Sequence, residues 1–235
     1  MTDYKKRFDI FLCGGSEHLA MLGPLLRKLQ PYGTVHLGSS FLSDDDLHVL
    51  DGLYDVLHTP RHSEDGYHNF ELFSIHDINR IATAPYFVKL DADIHLEADW
   101  IDYVEECIAE QPDAVLFGPR KGNVDISYSI EGEAVRALLQ QEIRVSGGRK
   151  VIGGFYVGQT AFFKQHLRLM DLVHGFLSQR ETDGVRVTGP RSAAFRGNED
   201  TLRSLVVHAA GAGDRLHVFD ARGRIRIERT NTVNP

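Results

Sequence analysis

The chain has 235 residues and 26.4 kDa, with 42% hydrophobic and 25% charged residues. Those values are near the globular average and exclude a disordered, collagen-like or coiled-coil chain. Net charge is −7, which excludes a global basic field of the kind that binds nucleic acid. The charge is uneven. Residues 186–235 hold nine Arg, no Lys and five acidic residues, a net of +4, against −11 for the remainder. Arginine without lysine suits bidentate phosphate or carboxylate recognition. No apolar run approaches the roughly 18–20 residues of a membrane span, and the first residues carry no secretory-signal pattern. Cys13 and Cys107 read as two buried thiols in a reducing cytoplasm rather than a disulfide framework.

The first half alternates strand and helix. Phe8–Cys13 is a short apolar run ending at Gly14-Gly15 and predicts a buried strand. Ser16 is placed to cap a helix bearing Leu19, Leu22, Leu25, Leu26 and Leu29 on one face, stopped by Pro31 and Gly33. Thr34–Gly38 predicts a second strand. Ser43-Asp44-Asp45-Asp46 caps a short helix through Leu53, and Tyr54–His58 predicts a third strand. A polar loop, Thr59–His68, leads to a helix over 69–83. Tyr86–Leu90 predicts a fourth strand, Asp99–Gln111 a helix, and Ala114–Phe117 a fifth strand. Such alternation with short links predicts a mostly parallel α/β sheet.

The second half is less regular. Glu131–Val145 reads as helix, Val151–Phe163 as glycine-rich and β-like, and Gln165–Gln179 as helix. Glu181–Gly197 carries Arg186, Arg191 and Arg196 and reads as a loop, either solvated or a lid that closes on a ligand. Asn198-Glu199-Asp200 caps a helix over 201–210, and Leu216–Phe219 and Ile225–Ile227 predict two short strands.

The strongest chemical signal is Leu90-Asp91-Ala92-Asp93. Two carboxylates two residues apart end a buried strand, at the edge where open α/β sheets bind ligands. Strand alternation turns both to one side, and such oxygen ligands suit Mg²⁺ or Mn²⁺ bridging phosphate oxygens. A bland surface turn with two solvated Asp is the alternative. The twelve His show no zinc spacing, and neither a nucleophile elbow nor a kinase signature is present.

Tyr86–Ile101, with Asp91-Ala92-Asp93 at its centre, resembles the strand-DxD-helix core of GT-A glycosyltransferases, especially those similar to family 2. Asn79, Arg80 and Ala84-Pro85 match the segment leading into that core. Gly197-Asn198-Glu199-Asp200-Thr201-Leu202 resembles the Glu-Asp motif that opens a helix in this family. The resemblance implies a Rossmann-like GT-A domain over residues 1–235. Residues 8–118 would form the half that binds the nucleotide sugar, and 119–235 the half that binds the acceptor and supplies the base.

It also implies roles for individual residues. Asp93 would ligate the divalent metal, with Asp91 contacting the ribose or the sugar, directly or through that metal. Asp200 would deprotonate the acceptor hydroxyl in an inverting reaction and Glu199 would support it. The bland alternative for Asp200 is a first-turn carboxylate that stabilises the helix dipole. His217 matches a further metal ligand by order along the chain, although a lone His beside apolar Val218 and Phe219 is more often a packed or surface residue. Cys13 and Gly14 would lie beside the nucleotide base, and Arg80 and Asp55 are candidate nucleotide contacts. Gly147–Tyr156 resembles the glycine-rich segment near donor and acceptor, with a bulge or hairpin as the alternative. Gln159 and Thr160 would face the pocket. The acidic residue that often follows the second strand in this family is replaced by Gly38-Ser39-Ser40.

The expected activity is therefore Mn²⁺- or Mg²⁺-dependent transfer from a nucleotide diphosphate sugar. The acceptor would be a hydroxyl of a small molecule, a glycan or a lipid-linked species. The chain is expected to be cytoplasmic, able to sit peripherally at a membrane, with a homodimer left open. The rivals are a nucleotidyltransferase and a non-catalytic sugar-binding domain. Cys13-Gly14-Gly15-Ser16-Glu17 lacks the basic residues that the first would need.

Overall fold

A computed structural model describes residues 7–58, 78–119, 128–131, 143–145, 151, 154–170, 186–188, 199–219 and 224–227. Strand β1, Phe8–Gly15, is buried along its whole length, so its side chains must be covered on both faces. A 3-10 turn over Ser16–His18 leads to α1, Leu19–Leu29, then β2, Thr34–Phe41. Helix α2, Asp44–Leu50, begins with a capping box in which Ser43 and Asp46 satisfy each other's backbone N–H. Gly52, at a φ of 75°, follows it before β3, Val56–His58.

Helix α3, Ile78–Ile81, precedes β4, Tyr86–Asp91, and β5, Ile94–Leu96. Then come α4, Trp100–Glu110, β6, Leu116–Pro119, β7, Tyr128–Glu131, and β8, Ile143–Val145. Strand β9, Phe155–Gln159, runs directly into α5, Thr160–Gln165. Strand β10, Arg186–Thr188, helix α6, Glu199–Ala209, and strands β11, Leu216–Phe219, and β12, Ile225–Ile227, complete the described elements.

The main sheet has seven strands in the order β11-β6-β9-β4-β1-β2-β3. All are parallel except β9, which runs antiparallel to both β4 and β6. β10, β7 and β8 form a separate antiparallel sheet, and β5 pairs with β12 as a two-stranded ribbon. Helices cover both faces of the main sheet. On one side Ile10, Leu12, Val88 and Leu90 pack with Leu22, Leu26 and Leu29 of α1 and with Trp100, Val104 and Ile108 of α4. On the other, Phe11, Cys13, Phe87 and Tyr156 pack with Ile78 of α3, Phe162 and Phe163 of α5, and Val206 and Val207 of α6. Each fully buried large side chain of this kind contributes roughly 1.5–3 kcal/mol. The α/β class and the mostly parallel sheet expected from the sequence are both present.

Several local expectations differ from the structure. Ser16 does not cap α1; its hydroxyl donates to Asp46 Oδ2 at 2.5 Å and ties the turn after β1 to the start of α2. The helix expected over 131–145 is contradicted at both ends, where Glu131 and Ile143–Val145 are strand. The β-branched Ile143 and Val145 favour a pleated strand, and pairing with Tyr128–Ile130 satisfies their backbone. Strand β10 occupies Arg186–Thr188, within the stretch read as a loop. The helix expected over 69–83 is described only at Ile78–Ile81, and the rest of the Arg-bearing loop and Gly147–Lys150 lie outside the described residues.

Candidate active site at the carboxyl edge of the sheet

Chain order in the main sheet reverses between β1 and β4. From β1 the chain moves outward to β2 and β3, then returns to the other side of β1 as β4. Helices covering opposite faces diverge at such a point and leave a crevice beyond the carboxyl ends of the strands. Asp91 is the last residue of β4 and lies opposite Cys13 of β1. Its backbone is held from both sides: Asp91 N–H donates to Gly154 O at 2.9 Å, and Ala92 N–H donates to Cys13 O at 3.1 Å. A Cβ on Gly14 would sit 2.8 Å from the Cβ of Ala92, so the strands approach here only because residue 14 has no side chain.

Strand β4 ends at Asp91, and Ala92-Asp93 form a turn into β5. The alternation nevertheless continues. Ala92, Ile94 and Leu96 are buried, whereas Asp91, Asp93 and His95 are partly exposed. The two carboxylates differ in their surroundings. Lys89 Nζ donates to Asp91 Oδ1. Asp93 has no hydrogen-bond or ion-pair partner among the described residues. His95 continues the same row and lies 3.2 Å from Glu97 Oε1.

Two further loops border the crevice. Asp46 accepts hydrogen bonds from the Ser16 hydroxyl and from the backbone and hydroxyl of Ser43, which hold its carboxyl below the ordinary range. Ser39 Oγ donates to His58 O at 3.3 Å and joins the ends of β2 and β3.

The remaining sequence candidates lie on other elements. Glu199 and Asp200 occupy the first turn of α6, as expected for a helix start. That helix is anchored by Arg203, fully buried, whose Nε donates to Tyr156 Oη at 2.6 Å and whose Nη1 donates to Asn79 Oδ1 at 2.8 Å. Its guanidinium lies 4.8–5.2 Å from the ring centres of Phe87, Tyr156 and Phe163. Arg80 is exposed on α3, next to the buried Asn79.

His217 is not brought to the carboxylates. It lies on β11, three strands from β4, about 14 Å across the sheet at the usual strand spacing. Its ring packs against Phe117 and Phe219. Asp55 accepts Val35 N–H at the start of β2, the opposite end of the sheet from Asp91. Gln159 and Thr160 sit at the β9–α5 junction, where their backbone N–H groups donate to Val115 O and Pro85 O.

Sequence reasoning missed Lys89 and Arg203, and placed Gly154 and Tyr156 only as part of the stretch Gly147–Tyr156. Lys89 carried a signal: a lone cation inside the apolar run Tyr86–Leu90, on the same strand face as Asp91. Arg203 gave none, since an Arg within a helix ordinarily faces water.

Two carboxylates two residues apart, at the end of β4 and in the turn that follows it, fit a hard divalent cation of the Mg²⁺ or Mn²⁺ type. Such ions take one or two protein carboxylates and fill the rest of their shell with phosphate oxygens and water. Among the described residues no group of three or more His, Cys, Asp or Glu could hold a metal without such help.

Neither a family model nor a curated protein matches the chain. Solved structures do match its fold. An active-site mutant of LgtC aligns over 91% of this chain and 73% of its own, at 11% identity and a TM-score of 0.53. WbbM, a bifunctional glycosyltransferase, aligns over 94% of this chain at 10% identity and a TM-score of 0.54. The glycosyltransferase GlyE of Streptococcus pneumoniae TIGR4 aligns over 92% at 10% identity and a TM-score of 0.51. This chain spans 40% of WbbM and 46% of GlyE. The fold is therefore of the GT-A type.

Proposed function

We propose that the protein transfers a sugar from a nucleoside diphosphate sugar to a hydroxyl acceptor at the β1–β4 crevice. The observation that carries this reading is Asp91-Ala92-Asp93 at the carboxyl end of β4, where the strand order reverses in a GT-A-type sheet. Asp93 and Asp91 would hold a Mg²⁺ or Mn²⁺ ion together with the donor diphosphate. When bound, that ion offsets the negative charge growing on the departing diphosphate. Cys13 and Gly14 would border the nucleotide. The Gly14–Ala92 contact keeps the carboxylate turn against β1. Asp200, on the first turn of α6, would accept the proton of the attacking hydroxyl and give inversion, with Glu199 beside it. Arg203 holds that helix in register with β4 and β9.

The test is a thermal-shift panel of UDP, GDP, CDP and dTDP, each with Mn²⁺ or with EDTA. A ligand specific to the folded state stabilises it by about 2.7 kcal/mol at a hundred times its Kd. A Mn²⁺-dependent shift with one nucleotide supports the reading and names the donor class. No shift with any nucleotide refutes it.

A further inference from the structure

Lys89 is 1% exposed, which strips its ammonium of water and leaves its charge to be balanced by fixed contacts. Its Nζ donates to Asp91 Oδ1 and lies 6.0 Å from the centre of the Tyr156 ring. In the sheet Lys89 stands between Phe11 of β1 and Tyr156 of β9, both fully buried. Tyr156 in turn accepts Arg203 Nε. The ammonium is therefore built into the core beneath Asp91 and cannot swing away as a surface lysine does. Asp93, two residues on, has no such partner among the described residues. One carboxylate of the pair is charge-balanced with an oxygen occupied; the other is open.

We infer that Lys89 sets the charge of the donor site by neutralising and orienting Asp91, so that a divalent cation is held weakly by the protein alone and firmly only together with a nucleoside diphosphate. This rests on the donor-site reading above. A fixed positive charge beside the turn repels a free cation, whereas a diphosphate brings anionic oxygens that outweigh it. The two ligands then strengthen each other's binding by the same factor. Lys89 acts here as a positioning residue, through Asp91.

The experiment titrates Mn²⁺ alone, followed by electron paramagnetic resonance, into wild type, Lys89→Met and Lys89→Arg, and repeats each titration with UDP, GDP, CDP or dTDP. Lys89→Met is expected to bind Mn²⁺ alone at least about tenfold more tightly, with a matching fall in the factor by which nucleotide tightens it. Lys89→Arg keeps the wild-type values. A native-like Lys89→Met with unchanged or weaker Mn²⁺ affinity overturns the inference.

Should Lys89→Met not fold, Asp91→Asn reads the same pair from its exposed half. It removes the anionic charge beside the Lys89 ammonium, so inorganic diphosphate in EDTA should bind at least about threefold more tightly. Unchanged or weaker binding overturns the inference. Absence of Mn²⁺-dependent nucleotide binding in wild type sinks the transferase reading and this inference with it. Such binding alongside an unaltered Lys89→Met sinks this inference alone.

Discussion

Gly14 and Ala92 meet across the β1–β4 junction so closely that a Cβ on residue 14 would lie 2.8 Å from the Cβ of Ala92 and 3.0 Å from Leu22 Cδ2. The Ala92 Cβ is fixed to its own backbone, so an added methyl forces the backbone to move. Gly14→Ala is expected to cost about 1–3 kcal/mol in urea unfolding. Because the displaced peptide is the one between Asp91 and Asp93, Mn²⁺-dependent nucleotide affinity should fall as well, measured on the folded variant by calorimetry.

Asp93 contributes little to the fold, since it has no hydrogen-bond or ion-pair partner among the described residues. Asp93→Ala should leave unfolding free energy within about 0.5 kcal/mol of wild type. The same variant should lose the Mn²⁺-dependent thermal shift. A large stability loss would instead mark Asp93 as structural.

Asp9 stands at the opposite end of β1 and is 3% exposed. Burial pushes its carboxyl up, but the hydrogen bond from His36 and the N–H groups of Ala84 and Thr83 outweigh it and hold it below the ordinary range. A carboxyl depressed in the folded state contributes stability above its unfolded pKa, and that contribution is lost as pH falls through the folded value. Asp9→Asn should therefore cost about 1.5–3 kcal/mol at pH 7. The gap to wild type should close below about pH 4 in a series of urea melts.

Tyr156→Phe removes the hydroxyl that accepts Arg203 Nε inside the core. The expected loss is about 1–3 kcal/mol. If Arg203 fixes the placement of α6, transfer by the folded variant should lose kcat more than donor KM. A stability loss with unchanged kcat would restrict Arg203 to a structural role.

Much of this was legible from residue patterns, and what was not has identifiable causes. β1 and β4 were readable because a strand covered on both faces is a continuous apolar run, as in Phe8–Cys13. The carboxylate turn was readable because it ended such a run. The three-residue strand Ile94–Leu96 was not, since a period of two needs more residues to declare itself and this one follows directly on the carboxylate turn; Ile225–Ile227, of the same length, was readable. The direction of β9 was equally hidden: Phe155–Gln159 looks the same read as parallel or antiparallel, and only pairing with β4 and β6 decides it. His217 was misplaced for a related reason. Order along the chain does not reveal that β11 is an edge strand of the main sheet, three strands from β4, and that position separates the ring from Asp91.

The reversed β9 also bears on when the site comes into being. Asp91 is gripped on one side by β1 and on the other by Gly154, at the start of a strand that pairs Phe155 with the distant Leu90. Closing so long a loop is slow compared with forming local helices. During refolding, α1 and the β1–β2 pair can assemble while the carboxylate turn still lacks its second wall. Competence to bind nucleotide should then lag behind the recovery of helical signal, so that ligand capture serves as a clock for the last stage of folding rather than the first.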